Sequence, residues 1–135
     1  MEELSSVDKG DASEASVIAE LKRRGYTVLT PFGDNERYDL VFEEDDNFIR
    51  AQVKTGRLVD DSSVVFDCCG NHTNTKGTTV KKYDASEIDC FLVYVPKVND
   101  FLRVSINEAP ETTMTLRYDS KQNQSSINWV EEYKL

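Results

Sequence analysis

Six successive residues, Cys90-Phe91-Leu92-Val93-Tyr94-Val95, form the most apolar run in the chain. Side chains alternate between the two faces of a strand, so a strand without polar alternates must bury both. This run is the best candidate for an inner strand covered on both sides. Whatever else the chain forms must supply those two covering layers.

The remaining segments read as one helix followed mostly by strands. From Asp11 to Arg24, Ala15, Ile18, Ala19 and Leu21 recur at three- and four-residue steps, Lys22-Arg23-Arg24 close the last turn, and Gly25 ends it. Residues 1–9 are polar and expected to fray. Tyr26–Thr30, closed by Pro31, reads as a strand, and Gly33–Arg37 as turn material. Leu40-Val41-Phe42 and Phe48–Thr55 flank an acidic hairpin loop, Glu43–Asn47. Val64–Cys68, Phe101–Ile106 and Thr113–Tyr118 are further strand candidates. Gly70–Thr79 reads as a polar, flexible segment, and Trp129–Tyr133 as a final helical turn. No repeat or linker interrupts the chain. An α/β class with an antiparallel-rich mixed sheet follows.

A length of 135 residues suits one domain spanning 1–135, and 39% hydrophobic with 30% charged residues suits a globular chain. No apolar run approaches the ~18 residues of a membrane span, and Met1-Glu2-Glu3 is acidic where a secretory signal is basic. A cytoplasmic protein that meets no membrane is expected. Cys68, Cys69 and Cys90 include no Cys-x-x-Cys pair, which disfavours a disulfide framework or zinc knuckle and leaves them as packing residues. His72 is the single histidine, so His-rich metal sites and His-dependent triads are excluded.

Charge points the other way from what the motifs below suggest. With 16 basic and 25 acidic residues the net charge is −9, and taken alone this argues against nucleic acid. A carboxylate coat also suits concentrated salt, although nine of the 16 basic residues are Lys, which extreme halophiles tend to avoid. Net charge does not decide the partner.

Three positions carry candidate chemistry. Glu14 lies four residues before Ile18 and seven before Leu21, on the apolar stripe of its helix, where a carboxylate is costly unless paired or metal-bound. Its other reading is a capping box with Asp11 as N-cap. Asp39 opens the strand Leu40-Val41-Phe42, although Asp also simply favours turns. In Phe48–Thr55, Ile49, Ala51 and Val53 share one face while Arg50, Gln52 and Lys54 share the other. Gln52 and Lys54 therefore lie about 7 Å apart on one side, at ~3.3 Å per residue. A wet outer strand face would look the same.

Acid on a first helix, acid at a strand end, then Gln-x-Lys on the next strand resembles the PD-(D/E)xK nuclease superfamily in order and spacing. Its central motif would read Tyr38-Asp39, a hairpin, then Gln52-Val53-Lys54. The stretches Lys9–Glu14, Gly25-Tyr26, Pro31–Leu40 and Gln52–Arg57 are similar to the small archaeal endonucleases of this superfamily, relatives of an intron-encoded homing endonuclease. The polar segment Asn71–Gly77, Ile88–Phe91 and Ile127–Tyr133 fit that group as well, so the likeness spans nearly the whole chain.

The resemblance implies a restriction-endonuclease-like, Holliday-junction-resolvase-like core: a central mixed sheet flanked by the N-terminal helix and a short C-terminal one. It implies hydrolysis of DNA phosphodiesters with Mg²⁺, for which Mn²⁺ could substitute. Asp39, the Gln52 side chain and the Val53 carbonyl would ligate the ion, and Glu14 would position water or a second ion. Lys54 would orient the nucleophile. Arg37, Arg57, Asn71, His72 and Lys76 become candidates for DNA contact, and a homodimer or homotetramer would bring two sites to two strands. Gln52 departs from the superfamily, which mostly has Asp or Glu there. Loss of that carboxylate leaves open a second class of function, a nuclease fold that only binds nucleic acid or protein.

Overall fold

The computed structural model describes residues 4–74, 77–118 and 127–135, apart from the side chains of 71–80. Helix α1 (Ser6–Arg23) is followed by β1 (Val28–Leu29), β2 (Leu40–Glu44), β3 (Asn47–Thr55), β4 (Arg57–Val59) and β5 (Ser63–Asp67). Then come β6 (Cys69–Asn74), β7 (Gly77–Lys82), β8 (Cys90–Val95), β9 (Asp100–Ser105), β10 (Thr113–Arg117) and a closing 3₁₀ turn, Val130–Tyr133. The central sheet runs β1-β2-β3-β8-β9; β3 and β8 are parallel and its other pairs antiparallel. A three-stranded sheet, β10-β5-β4, and a two-stranded ribbon, β6-β7, complete the strands.

The apolar run becomes β8, and both layers it requires are present. On one face Cys90 and Leu92 join Val17 and Leu21 of α1 with Leu40, Phe42, Ala51 and Val53. On the other, Phe91, Val93 and Val95 pack with Val64, Phe66, Met114 and Leu116 of the three-stranded sheet. The β3–β8 register is pinned by Arg50, whose backbone N–H (2.8 Å) and guanidinium (3.1 Å) both donate to the carboxylate of Asp89. β2 and β3 are joined through Asp45 and Asp46, both at positive φ (51° and 67°), the geometry of a two-residue hairpin turn.

Several expectations need correction. The helix starts at Ser6, and Ser5 is its N-cap, accepting from the Asp8 N–H at 3.1 Å. Residues 6–9 are thus helical rather than frayed, Asp11 is no cap, and Glu14 sits well inside the helix. The buried positions are Ser13, Val17 and Leu21; Ala15 is exposed. Gly25, at φ 89°, ends the helix as expected, with its N–H bonded to the Lys22 carbonyl. The strand at Tyr26–Thr30 shrinks to Val28–Leu29. Of Gly70–Thr79, expected as a flexible segment, residues 70–74 and 77–79 belong to the paired strands β6 and β7, and residues 75 and 76 lie outside the described residues. The closing turn is 3₁₀.

Candidate active site

The site forms where β3 outruns its neighbour. The β2–β3 ladder ends at the pair Leu40↔Ala51, whereas β3 continues to Thr55, paired there with β8 only. Residues 52–55 therefore have an open edge on the β2 side, and Asp39 lies at its mouth. The Asp39 carboxylate accepts the Val53 N–H at 2.8 Å, replacing the ladder partner that β2 no longer supplies. A strand residue directs its N–H and C=O to the same side. The Val53 carbonyl thus faces the same notch as the Asp39 carboxylate.

Gln52 and Lys54 pair with Phe91 and Val93, which places them on the side of the sheet facing the second layer. Both are half-buried rather than on a wet face. The Lys54 ammonium donates to the Cys69 carbonyl at 3.1 Å and lies 5.2 Å from the centre of the Tyr83 ring. Burial lowers its pKa, and the nearby Cys69, Asp67 and Asp39 pull it partly back.

Glu14 comes from the helix side. Its pKa is raised by burial first, then by the charges of Asp39 and Asp11. Asp39 is raised by burial, against which the Val53 N–H and Lys54 act. Glu14, Asp39 and Lys54 are therefore electrostatically coupled, and two partly desolvated carboxylates oppose each other. A bound cation would relieve that opposition.

The groups that could serve as ligands are all oxygen: the Asp39 carboxylate and Val53 carbonyl at the notch, the Glu14 carboxylate that feels the charge of Asp39, and the amide of Gln52, the neighbour of Val53 on β3. Hard divalent cations such as Mg²⁺ take this set, usually with one or two protein carboxylates. Among the described residues no group of three His, Cys, Asp or Glu side chains could hold a metal. The fit therefore rests on two carboxylates plus neutral oxygens. The thiols stay structural: burial pushes Cys68 up to about 11 and Cys90 up to about 12.

Of the other sequence candidates, Arg37 is engaged on three sides. It pairs with Glu87 at 3.0 Å, donates to the Lys82 carbonyl at 3.1 Å and stacks 4.0 Å over the Tyr83 ring. Arg57 is largely exposed and loosely paired with Asp67 at 3.8 Å. Asn71 and His72 fall on β6, where only the backbone is described, and Lys76 lies outside the described residues. Sequence reasoning missed Tyr83, which separates Arg37 from Lys54, and Ser13, buried at 2% exposure, whose hydroxyl meets that of Thr55 at 2.5 Å. An aromatic after Lys81-Lys82 was the one available signal for the first. A serine in a helical stripe gave none for the second.

Residues 4–135 match the PD-(D/E)XK endonuclease family. Comparison with curated proteins gives no match. Among solved structures the chain is similar to a bacterial homing endonuclease, I-Ssp6803I, with a TM-score of 0.80 and 23% identity, covering 97% of this chain and 89% of that one; the likeness is one of fold. With the family pattern running through nearly its whole length, the chain belongs to the PD-(D/E)XK endonucleases.

Proposed function

We propose that the chain is a Mg²⁺-dependent endodeoxyribonuclease, with Asp39, Glu14, Gln52 and the Val53 carbonyl as the oxygen donors and Lys54 as the catalytic cation. The observation that supports this most is the notch itself. Its open strand edge leaves the Val53 carbonyl without a ladder partner, beside the Asp39 carboxylate that the Val53 N–H fixes and on the strand that also carries Lys54. Mn²⁺, another oxygen-seeking ion, fits the same donors.

When bound, the cation supplies charge neutralisation at the phosphate and acidifies water. The chain's own residues do the rest. Asp39, held by the Val53 N–H, presents its carboxylate in one orientation. Lys54 uses one N–H on the Cys69 carbonyl and keeps two more for the attacking water and the scissile phosphate. Its charge offsets the negative charge that grows on the pentavalent phosphorane. Glu14 orients water from the helix side. Arg57, Asn71, His72 and Lys76 contact the DNA; Arg37 supports that surface through Tyr83 and Glu87.

Cutting two strands needs two such sites, so the working form is a homodimer or homotetramer of single-domain protomers. No described helix is long and apolar enough to cross a membrane, and the free thiols suit the cytoplasm.

Plasmid nicking with and without Mg²⁺, run beside Lys54→Ala, tests this reading. Wild type should nick only with the ion. The variant should keep its fold and DNA affinity but lose at least about a hundredfold in rate, the order of one electrostatic transition-state donor. Comparable nicking by Lys54→Ala would sink the assignment.

A further inference from the structure

An acidic protein that cuts DNA needs some surface the phosphates do not repel. Between Asp67 and Asp84 the sequence carries three of the chain's 16 basic residues, its one histidine and none of its 25 acidic residues. Asn, Thr and Gly make up most of the rest. Within this stretch lie the two paired strands of the ribbon, Cys69–Asn74 and Gly77–Lys82, and their base is tied to the residues assigned to catalysis. The first rung of the ribbon is Cys69↔Lys82. Lys54 donates to the carbonyl of Cys69, and Arg37 donates to the carbonyl of Lys82, at 3.1 Å each. Tyr83, directly after the ribbon, lies against both cations. The two strands are thus held at their root by the side chain assigned to chemistry and by its neighbour.

We infer that the β6–β7 ribbon is the sequence-reading element of this nuclease, lying in the DNA major groove while Lys54 stands at the phosphodiester to be cut. The inference deepens the proposed DNA cleavage and rests on it for the identity of the nucleic acid. The major groove, about 12 Å wide, admits a two-stranded ribbon and shows a distinct pattern for each base pair, whereas the minor groove, about 6 Å wide, shows a degenerate one. Six residues per strand at ~3.3 Å span about 20 Å, or roughly six base pairs at 3.4 Å each. His72 pairs in register with Thr79, and Asn71 with Val80. Asn and Thr are side-chain types that hydrogen-bond base edges there. The chain as a whole carries −9, so a stretch free of carboxylates is one whose charge suits close approach to a duplex.

The test is selection of bound duplexes from a random pool of about 30 base pairs, using the full chain in EDTA so that binding is read without cutting. Wild type should enrich a motif containing a contiguous block of up to about six base pairs. His72→Ala/Thr79→Ala should flatten two or three adjacent positions of that block, lowering enrichment of the preferred bases at least about fivefold, and leave the other positions unchanged. Asn71→Ala, a single change elsewhere on the ribbon, repeats the measurement should the double variant not fold. A wild type that enriches no motif, or ribbon variants with the wild-type motif, overturns the inference. So does an unchanged motif with a halved mass in light scattering, which would make the ribbon a contact between subunits. Failure to nick plasmid with Mg²⁺ despite an enriched motif would instead defeat the catalytic reading and leave the ribbon's role standing.

Discussion

Ser13 of α1 and Thr55 at the end of β3 share a hydroxyl–hydroxyl hydrogen bond of 2.5 Å, the side-chain link between the helix bearing Glu14 and the strand bearing Lys54. Ser13 is buried, so removing one partner leaves the other unsatisfied at a cost of about 1–3 kcal/mol. Ser13→Ala should therefore lower stability by that amount and slow cleavage by shifting Glu14. Ser13→Ala/Thr55→Val, which removes both hydroxyls, should recover part of the stability. Denaturant melts of the three variants check the expectation, and additive losses would refute it.

Gln52 stands where most of the superfamily has a carboxylate. Gln52→Glu adds an anionic oxygen at the notch, and divalent ions prefer carboxylate to amide oxygen. Half-maximal cleavage should need less Mg²⁺ than in wild type, with no cleavage in EDTA. An unchanged Mg²⁺ requirement would mean that Gln52 does not meet the ion.

Burial raises the pKa of Asp39 and, helped by Asp39, that of Glu14. Both carboxyls ionise more readily in the unfolded chain, so without metal they reduce stability at neutral pH, and that loss is recovered as pH falls through their raised values. Asp39→Asn can still accept from Val53 while shedding the charge. Its metal-free Tm at pH 7 should equal or exceed that of wild type, and Mg²⁺ should no longer raise it. In wild type, Mg²⁺ affinity should weaken on acidification above the ordinary Asp and Glu values of 3.8 and 4.5, as protons compete for raised sites. Calorimetric melts across pH with and without Mg²⁺ read both effects.

Gly56 joins β3 to β4, and a Cβ there would lie 2.6 Å from Val64 Cγ2 and 3.0 Å from Val93 Cγ1. Gly56→Ala should cost about 1–3 kcal/mol by overpacking. Gly10 has nothing within 4 Å and lies on the exposed face of α1, so Gly10→Ala should stabilise by up to about 1 kcal/mol. Thermal melts showing the same sign for both would contradict the packing at Gly56.

The legible parts of the fold were those where pattern and burial coincide. β8 and β3 follow directly from an unbroken apolar run and from strict alternation. The proximity of Asp39 and Lys54 was legible because both sit at element ends defined by those same patterns. The helix start was not, since residues 6–12 lie outside the core and carry no apolar period; Ser5 with Asp8 at the cap was the signal there. The ribbon was hidden because Gly, Asn and Thr read as loop, and its pairing is backbone–backbone. The half-burial of Lys54 was hidden as well, because alternation separates two faces without saying that a second sheet will cover the polar one.

The parallel register Val53↔Leu92 also sets an order of events during synthesis. The β2–β3 hairpin closes on neighbours in sequence, but its permanent partner β8 emerges about 40 residues later, which at ~5–20 residues per second is roughly 2–8 s. For that interval the strand that carries Lys54 is a bare edge, open to the same strand of another nascent chain. The run Glu43-Glu44-Asp45-Asp46 sits at the tip of that hairpin. Four like charges at a hairpin tip oppose the edge-to-edge pairing of two such strands, so part of the molecule's acidity would act before the molecule is whole.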